Sequence, residues 1–293
     1  MSSKIKVDTI ENVAGSGNVS LGSGHNLVVP GTLAITGAST LTGATTIGGD
    51  LTVDTSTLKV DASNNRVGVG TTSPDGALHV KGMSDHGRLI IEHGGTGGSE
   101  NHNFISFHNH GGNTVAEIQS EENATNESAL IFKTGGTTTG MTISKDGQVT
   151  KPLQPSFYVD KTDAQQSVGV NTDTTIVFNT ERYDVGSNFA SNTFTAPVTG
   201  KYYLNAGILL GNPPTDAAYC ECAIVTSNRR IGHLTDYDGL DQESVYWAVN
   251  MSCVVDMDAN DTAAVRVYQA GGADNTFVFH NSASIFFCGI LIG

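Results

Sequence analysis

The sequence predicts an all-β protein, and three observations predict it. Strand and turn signals recur at roughly ten-residue spacing along the middle and end of the chain. No segment carries the roughly 3.6-residue apolar period of a helix. Residues 31–53, GTLAITGASTLTGATTIGGDLTV, repeat a six-residue beat: Gly31, Gly37, Gly43 and Gly49 are each followed four places later by Ile35, Leu41, Ile47 and Val53.

The totals narrow the function. The 293 residues are 38% hydrophobic and 15% charged, with a formal net charge of −14. Such an acidic chain lacks the clustered Lys and Arg of sequence-independent nucleic-acid binding. No run of about 18 apolar residues predicts a membrane span. The opening MSSKIKVDTIENVAG has no apolar secretory core, so export is not expected. Cys220 and Cys222 share one face of a strand, but neither Cys253 nor Cys288 completes a zinc pattern. Buried free thiols, as in a reducing compartment, are expected.

The aromatic residues set the organisation. Trp247, all eight tyrosines and every phenylalanine except Phe104, Phe107 and Phe132 lie beyond residue 154. Aromatic rings dominate core burial, so residues 154–293 are expected to form a globular head. Residues 1–60 hold the short alternating segments KIKVDTI and NLVV, then the hexads. One aliphatic per six residues offsets too little chain entropy in a single copy. Three chains wound about one axis would shelter that row, giving an intertwined β shaft. A single-chain left-handed β-helix and a low-complexity linker are the alternatives.

Residues 61–82 read as a strand-turn-strand connector around Pro74-Asp75-Gly76. The GVG at 68–70 lacks the third glycine and the following helix of a phosphate loop. Residues 83–153 read as a middle β domain with strands in GRLIIEH, NFISFHNH, NTVAEIQS, ALIFKT and GMTISKDGQVTK. In the head, NTFTAPVTGKYYLNAGILL gives strand, turn and strand. TFVFHNSASIFFCGILIG ends the chain in an apolar strand, which a jelly roll would place centrally in a sheet.

Three stretches resemble tail-fibre and other appendage proteins of bacteriophages, marine ones especially. They are KIKVDTI with the later LVVPGTLAITG, RVGVGTTSPDGALHV (similar to a fibre segment of the form GIGTxxPxxxLHV), and GMTISKDGQVTKP. The carboxy-terminal part resembles the complement one-q globular head, a jelly roll related to tumour necrosis factor. Matching positions run from Phe157 and Val159 through Val177, Phe178, Asn179, Asp184, Phe189 and Phe194. They continue with Ala196, Pro197, Gly200, Tyr202 and Tyr203, and the closing pattern falls on Ser284, Phe286, Gly289, Leu291 and Ile292. Residues 211 to 275 depart from the family.

These resemblances imply a homotrimeric virion fibre, of tail or capsid, assembled in the host cytoplasm. Its amino-terminal part would meet other virion proteins, and its jelly-roll head would adhere to a host-surface glycan or protein. The reading has no nucleic acid, membrane insertion or cofactor. A fibre-borne glycan depolymerase and a bacterial trimeric surface adhesin are the alternatives. No motif ties a nucleophile to a base, so an enzyme is not expected.

Receptor contacts are expected in the divergent loops: Asn212, Asp216, Arg229, Arg230, Asp236, Tyr237, Asp238, Asp241 and Glu243. Tyr237 and Tyr246 or Trp247 are candidate sugar platforms, with a core role the competing expectation for Trp247. The carboxylates of DYDGLDQE are hard oxygen ligands without EF-hand spacing, so a solvated loop is favoured over calcium. Asp256, Asp258 and Asp261 are expected to flank a turn. His108 and His110 alternate on one strand face, where three chains could hold an octahedral transition metal on an axis. Burial of Ile105 and Phe107 on the other face would instead leave them solvated.

Overall fold

In this computed structural model the described residues are 28–30, 32–35, 39, 45–54, 57–82, 89–91, 101–124, 127–238, 245–280 and 284–293, with backbone alone at 101, 122–124 and 127. Every regular element among them is a β-strand. The chain divides into two units, residues 1–90 and 91–293.

In the first unit, Ile35 and Ile47 of the hexads are about half exposed, and Leu41 lies outside the described residues. Among the described residues regular pairing starts at β1 (Leu51–Val53), which runs against β2 (Leu58–Asp61). β2 pairs with β3 (Arg66–Val69), and β3 lies parallel to β4 (Leu78–Val80). The expected border between shaft and connector at residue 60 therefore cuts through β2. Pairing on both sides of that strand makes one sheet of 51–80.

The β2–β3 turn is set by Asp61, whose carboxylate accepts from Ser63 Oγ at 2.6 Å and from the Asn64 amide at 3.1 Å. Ser63 and then Asn64 hold that carboxyl down to about 2. Asn65 turns the chain at φ +55°. The GVG glycines serve packing. A Cβ on Gly68 would stand 2.6 Å from the Thr71 carbonyl oxygen, because the 70–77 crossover lies on that face of the sheet.

In the second unit, β5 (Asn101–His108), β6 (Thr114–Ala124), β7 (Glu127–Thr134), β8 (Thr138–Ile143) and β9 (Val149–Thr150) form an antiparallel meander. These match four of the five strands expected in 83–153. Of GRLIIEH, only 89–91 are described, and they are not in a strand. Register places Ile105, Ile118, Phe132 and Met141 in one row and Phe104, Gln119, Ile131 and Thr142 on the opposite face. Ile105 and Phe107, expected to be buried, are nearly half exposed, because no described strand covers their face.

Residues 156–291 supply β10 (Ser156–Asp160), β11 (Gln166–Ser167), β12 (Thr174–Thr175), β13 (Thr180–Val185), β14 (Phe189–Ala190), β15 (Thr193–Thr195) and β16 (Gly200–Gly211). They continue with β17 (Ala217–Thr226), β18 (Arg230–Asp236), β19 (Tyr246–Met257), β20 (Thr262–Gly271), β21 (Phe277–Val278) and β22 (Phe286–Leu291). One sheet holds β13, β10, β22, β16 and β19, with β21 and β11 extending it. The other runs β14-β15-β20-β17-β18, with β12 beside β20. The chain crosses between sheets at β11 to β12, β12 to β13, β13 to β14, β15 to β16, β16 to β17, β18 to β19, β19 to β20 and β20 to β21, which is jelly-roll connectivity. The closing strand β22 lies between β10 and β16, the central place expected of the apolar end of the chain.

The core fills the space between these sheets. Phe157 sits 4.6 Å from Phe194 and 4.9 Å from Phe287, centroid to centroid. Tyr202 is fully buried, and its hydroxyl donates to the Val198 carbonyl at 2.8 Å across the Pro-Val-Thr-Gly turn. Gly289 makes room for this cluster, since a Cβ there would lie 2.7 Å from both Phe157 and Leu204.

Candidate functional site

Strand order assigns the predicted contact residues to two opposite ends of the sandwich. The chain enters at Ser156, level with Ile290 and Tyr203, so the Gly200, Met257 and Gly293 end is proximal. Gly211, Ala217, Asp236, Tyr246 and Gly271 mark the distal end. Asn212, Asp216, Asp236, Tyr237 and Asp238 gather distally, whereas Arg229 and Arg230 lie proximally. Asp241 and Glu243 fall outside the described residues.

Asn212 turns the distal β16–β17 loop at φ +49°, and Asp216 accepts the Ala273 amide at 2.9 Å. Fully buried Gln269 holds the neighbouring 270–276 segment: its amide donates to the Gly271 and Asp274 carbonyls and its oxygen accepts from Thr276. Asp236 and Asp238 are exposed, with the Asp238 amide donated to the Asp236 carboxylate at 3.1 Å. Tyr237 is 0% exposed and packs edge-on to Trp247 at 5.9 Å. It is therefore a core residue and no sugar platform, because its phenol turns inward between the sheets at the end of β18. Burial pushes its hydroxyl far above the usual range. Trp247 packs against the same core, as its competing expectation held.

At the proximal end Arg229 reaches Asp256 at 3.8 Å. Both line an open groove of about 480 Å³ with Lys201, Asp258 and Gly293. Arg230 belongs to an ion network: it meets Glu221 at 2.9 Å and Asp173 at 3.1 Å, and Arg266 meets Asp173 at 3.0 Å. Asp173 is pushed up by partial burial, but hydrogen bonds from Arg230 and Arg266 outweigh this and hold it below the usual 3.8. These charges stand on the outer face of the six-stranded sheet, beside the Tyr219–Tyr268 pair.

The outer face of the seven-stranded sheet is of another kind. Register sets Ser156, Ile290, Tyr203 and Val254 in one row, and Tyr183, Tyr158, Cys288, Asn205 and Ser252 in the next. Phe286 and Gly207 follow, then Leu209 with Ala248. Phe286 stacks on Tyr158 at 5.7 Å and 9°. Its ring lies over Gly207, where a Cβ would come 2.6 Å from it, and Phe279 lies over Gly211 in the same way. Tyr183 is 50% and Val254 55% exposed. Charged groups stand only at its margins: the Asp160–Arg182 pair, Lys201 and Asp256.

Sequence reasoning missed this face. Its signal was present in IFFCGILIG, where both alternating sets of residues are apolar. A strand apolar on both parities needs cover on both sides.

The remaining candidates change more simply. β5 ends at His108, and His110 sits in the Asn109–Asn113 turn, so the two do not share a strand face. His108 Nδ1 lies 3.1 Å from the Gly112 carbonyl. Among the described residues no His, Cys, Asp and Glu cluster of three or more has metal-binding geometry. Asp258 and Asp261 form the expected turn, with the Asp258 amide and the Asn228 side chain donating to Asp261. All four cysteines are free, Cys220 and Cys222 are buried, and burial pushes the Cys253 and Cys288 thiols up.

Comparison with known proteins follows this geometry. No protein-family model matches the sequence, and no curated protein matches it. Solved structures similar to the chain include the globular domain of zebrafish complement 1qA, at 17% identity and TM-score 0.35, covering 48% of this chain and 98% of that one. Murine APRIL matches at 11% identity and TM-score 0.36, covering 47% and 99% respectively. Eiger TNF from S. frugiperda matches at 12% identity and TM-score 0.36, covering 48% and 93%. The all-β jelly-roll assignment itself rests on the strand order and sheet crossings of residues 156–291.

Proposed function

We propose that the chain is a homotrimeric fibre subunit of a phage virion. Its head assembles through the uncharged aromatic face of the seven-stranded sheet and offers its distal loops to a host-surface glycan or protein. The observation that carries this reading is that face. Tyr158, Phe286, Tyr203, Ile290 and Val254 present a contiguous apolar surface on a sheet already packed on its other side. Large bare apolar patches mark interaction sites. The Phe286 and Phe279 rings fill the space over Gly207 and Gly211.

The phage assignment is supported by the fibre-like stretches of the first 150 residues. Adhesion is supported by the distal placement of Asn212, Asp216, Asp236 and Asp238, far from the point where the chain enters the head. Three equal sites on one fibre would multiply weak contacts into firm attachment.

Light scattering on the full-length chain tests the assembly. Three copies of the 30.6 kDa chain weigh about 92 kDa, and a single-chain mass would refute the reading. Binding of labelled protein to host cells tests adhesion. An Asp236→Ala/Asp238→Ala variant that binds like the wild type would remove the distal loops from the contact.

A further inference from the structure

The small sheet of residues 51–80 carries a pattern that neither the head nor the hexads use. Register aligns Leu51, Val60, Val67 and Leu78 across its four strands, and Val53, Leu58, Val69 and Val80 in the next row. All eight are aliphatic and share one face. The other face holds Thr52, Lys59, Gly68 and His79, and there the 70–77 crossover packs onto Gly68. So the polar side is covered by its own chain over Gly68, with Thr52 exposed at its edge, while no described element lies on the aliphatic side. Leu78 remains 60% exposed and Val53 44%.

We infer that residues 50–81 form an assembly module of their own, in which three copies of this sheet close their aliphatic faces into one triangular core. The inference rests on the homotrimer proposed above. Three arguments name the occupant as further copies of this chain. The face has no charge or hydrogen-bonding side chain, so its complement is another aliphatic face. Val53 belongs both to the hexad row of the sequence and to this face.

The third argument is dimensional. Four strands at about 4.8 Å spacing make a face about 19 Å wide, and three such faces closed into a triangle put the axis about 5.5 Å from each sheet. That is close to half of the roughly 10 Å separation of two packed sheets, which suits Leu and Val reaching to a common axis. The five-stranded sheet, about 24 Å wide by the same spacing, would stand about 7 Å off its axis. Its open face carries the longer Phe107, Phe132 and Met141.

The test uses the full-length chain. Leu78 is 60% exposed and no described element lies over its face, so damage from Leu78→Asp beyond that of a surface change reports a neighbour. With wild-type mass at three chains, Leu78→Asp is expected to keep that mass through the head while tryptic cleavage after Lys59 and Arg66 speeds up by about tenfold, as local opening governs cleavage. Thr52→Asp, on the polar face, is expected to leave cleavage unchanged. Leu78→Cys treated with a short bismaleimide is expected to give covalent species of two and three chains absent from the treated wild type. A three-chain wild type whose Leu78→Asp variant is cleaved no faster, or whose Leu78→Cys stays single, overturns the module and leaves the trimer standing. Cross-linking that stops at pairs overturns threefold closure. A single-chain wild-type mass overturns the trimer and the module with it.

Discussion

The two outer faces of the head are built on the same sandwich, yet they solve burial in opposite ways. On the six-stranded sheet, Arg230, Arg266, Asp173 and Glu221 satisfy one another in solvent. On the seven-stranded sheet, Phe286 and Phe279 lie over Gly207 and Gly211 and Tyr158 stacks on Phe286, with charge only at the margins. The difference teaches that a sheet covered on one side by its core still declares what its other side is for. A charged face is finished within the chain; an aromatic face awaits a second molecule.

Breaking the aromatic face should have the largest effect. Phe286→Asp places a carboxylate where a copy of the chain would exclude water, and burying an unpaired charge is prohibitive. The three-chain species is expected to dissociate at a higher concentration than the wild type, with only the 50–81 module left to hold it, read by light scattering over a dilution series. An unchanged dissociation midpoint would transfer the head's interface elsewhere.

The core shared by both faces sets the scale for everything else. Phe157→Ala is expected to cost about 3–5 kcal/mol in urea unfolding, because its ring contacts Phe194, Phe189 and Phe287 at once.

Gly207→Ala probes the glycine bed. Its Cβ would meet the Phe286 ring at 2.6 Å and the Ser284 carbonyl oxygen at 2.5 Å. A loss of about 1–3 kcal/mol is expected, together with weaker trimer association as Phe286 lifts off the sheet. The Thr52→Asp control apart, a Gly232→Ala change on the charged face provides the contrast, since there the Cβ meets only the flexible Glu221 side chain.

The charged face should respond least. Arg230→Ala is expected to cost below about 1 kcal/mol, screened by salt, with no change in mass. Its pH signature has a fixed sign. Asp173 is depressed below the usual 3.8 in the folded chain, so its contribution is complete above that value and is lost as pH falls through the lower, folded one. The stability difference between wild type and Asp173→Asn should therefore shrink on acidification below about pH 4. A difference that stays constant or grows would show that the network does not stabilise the ionised carboxylate.

Much of the fold was legible in particular residues. Phe157, Val159, Phe194, Ala196 and Tyr202 were read as positions matching a jelly-roll head by resemblance, and all are buried. The apolar end of the chain, IFFCGILIG, was expected to lie centrally in a sheet, and β22 does. The candidate site was far less legible. Arg229 and Arg230 were grouped with Asn212 and Asp236 because all lie in loops of one divergent stretch, but consecutive loops of a jelly roll alternate between its ends. Tyr237 looked solvent-exposed among three acidic neighbours, yet it turns inward at the last position before the loop. His110 alternates with His108 in sequence, but a turn at Asn109 ends the strand that would have aligned them.

By itself the sequence determined the fold class and the strand periods, because a period of two and the places where Gly, Pro and Asn interrupt it are local properties of the backbone. It also showed that the hexads supply only one aliphatic residue in six. Only the tertiary structure decided which faces stay bare. That depends on which strands become neighbours and what crosses over them, as the 70–77 loop covers one side of the small sheet and leaves eight aliphatic side chains on the other. Alternation says which residues share a face, and strand order alone says whether the same chain covers it.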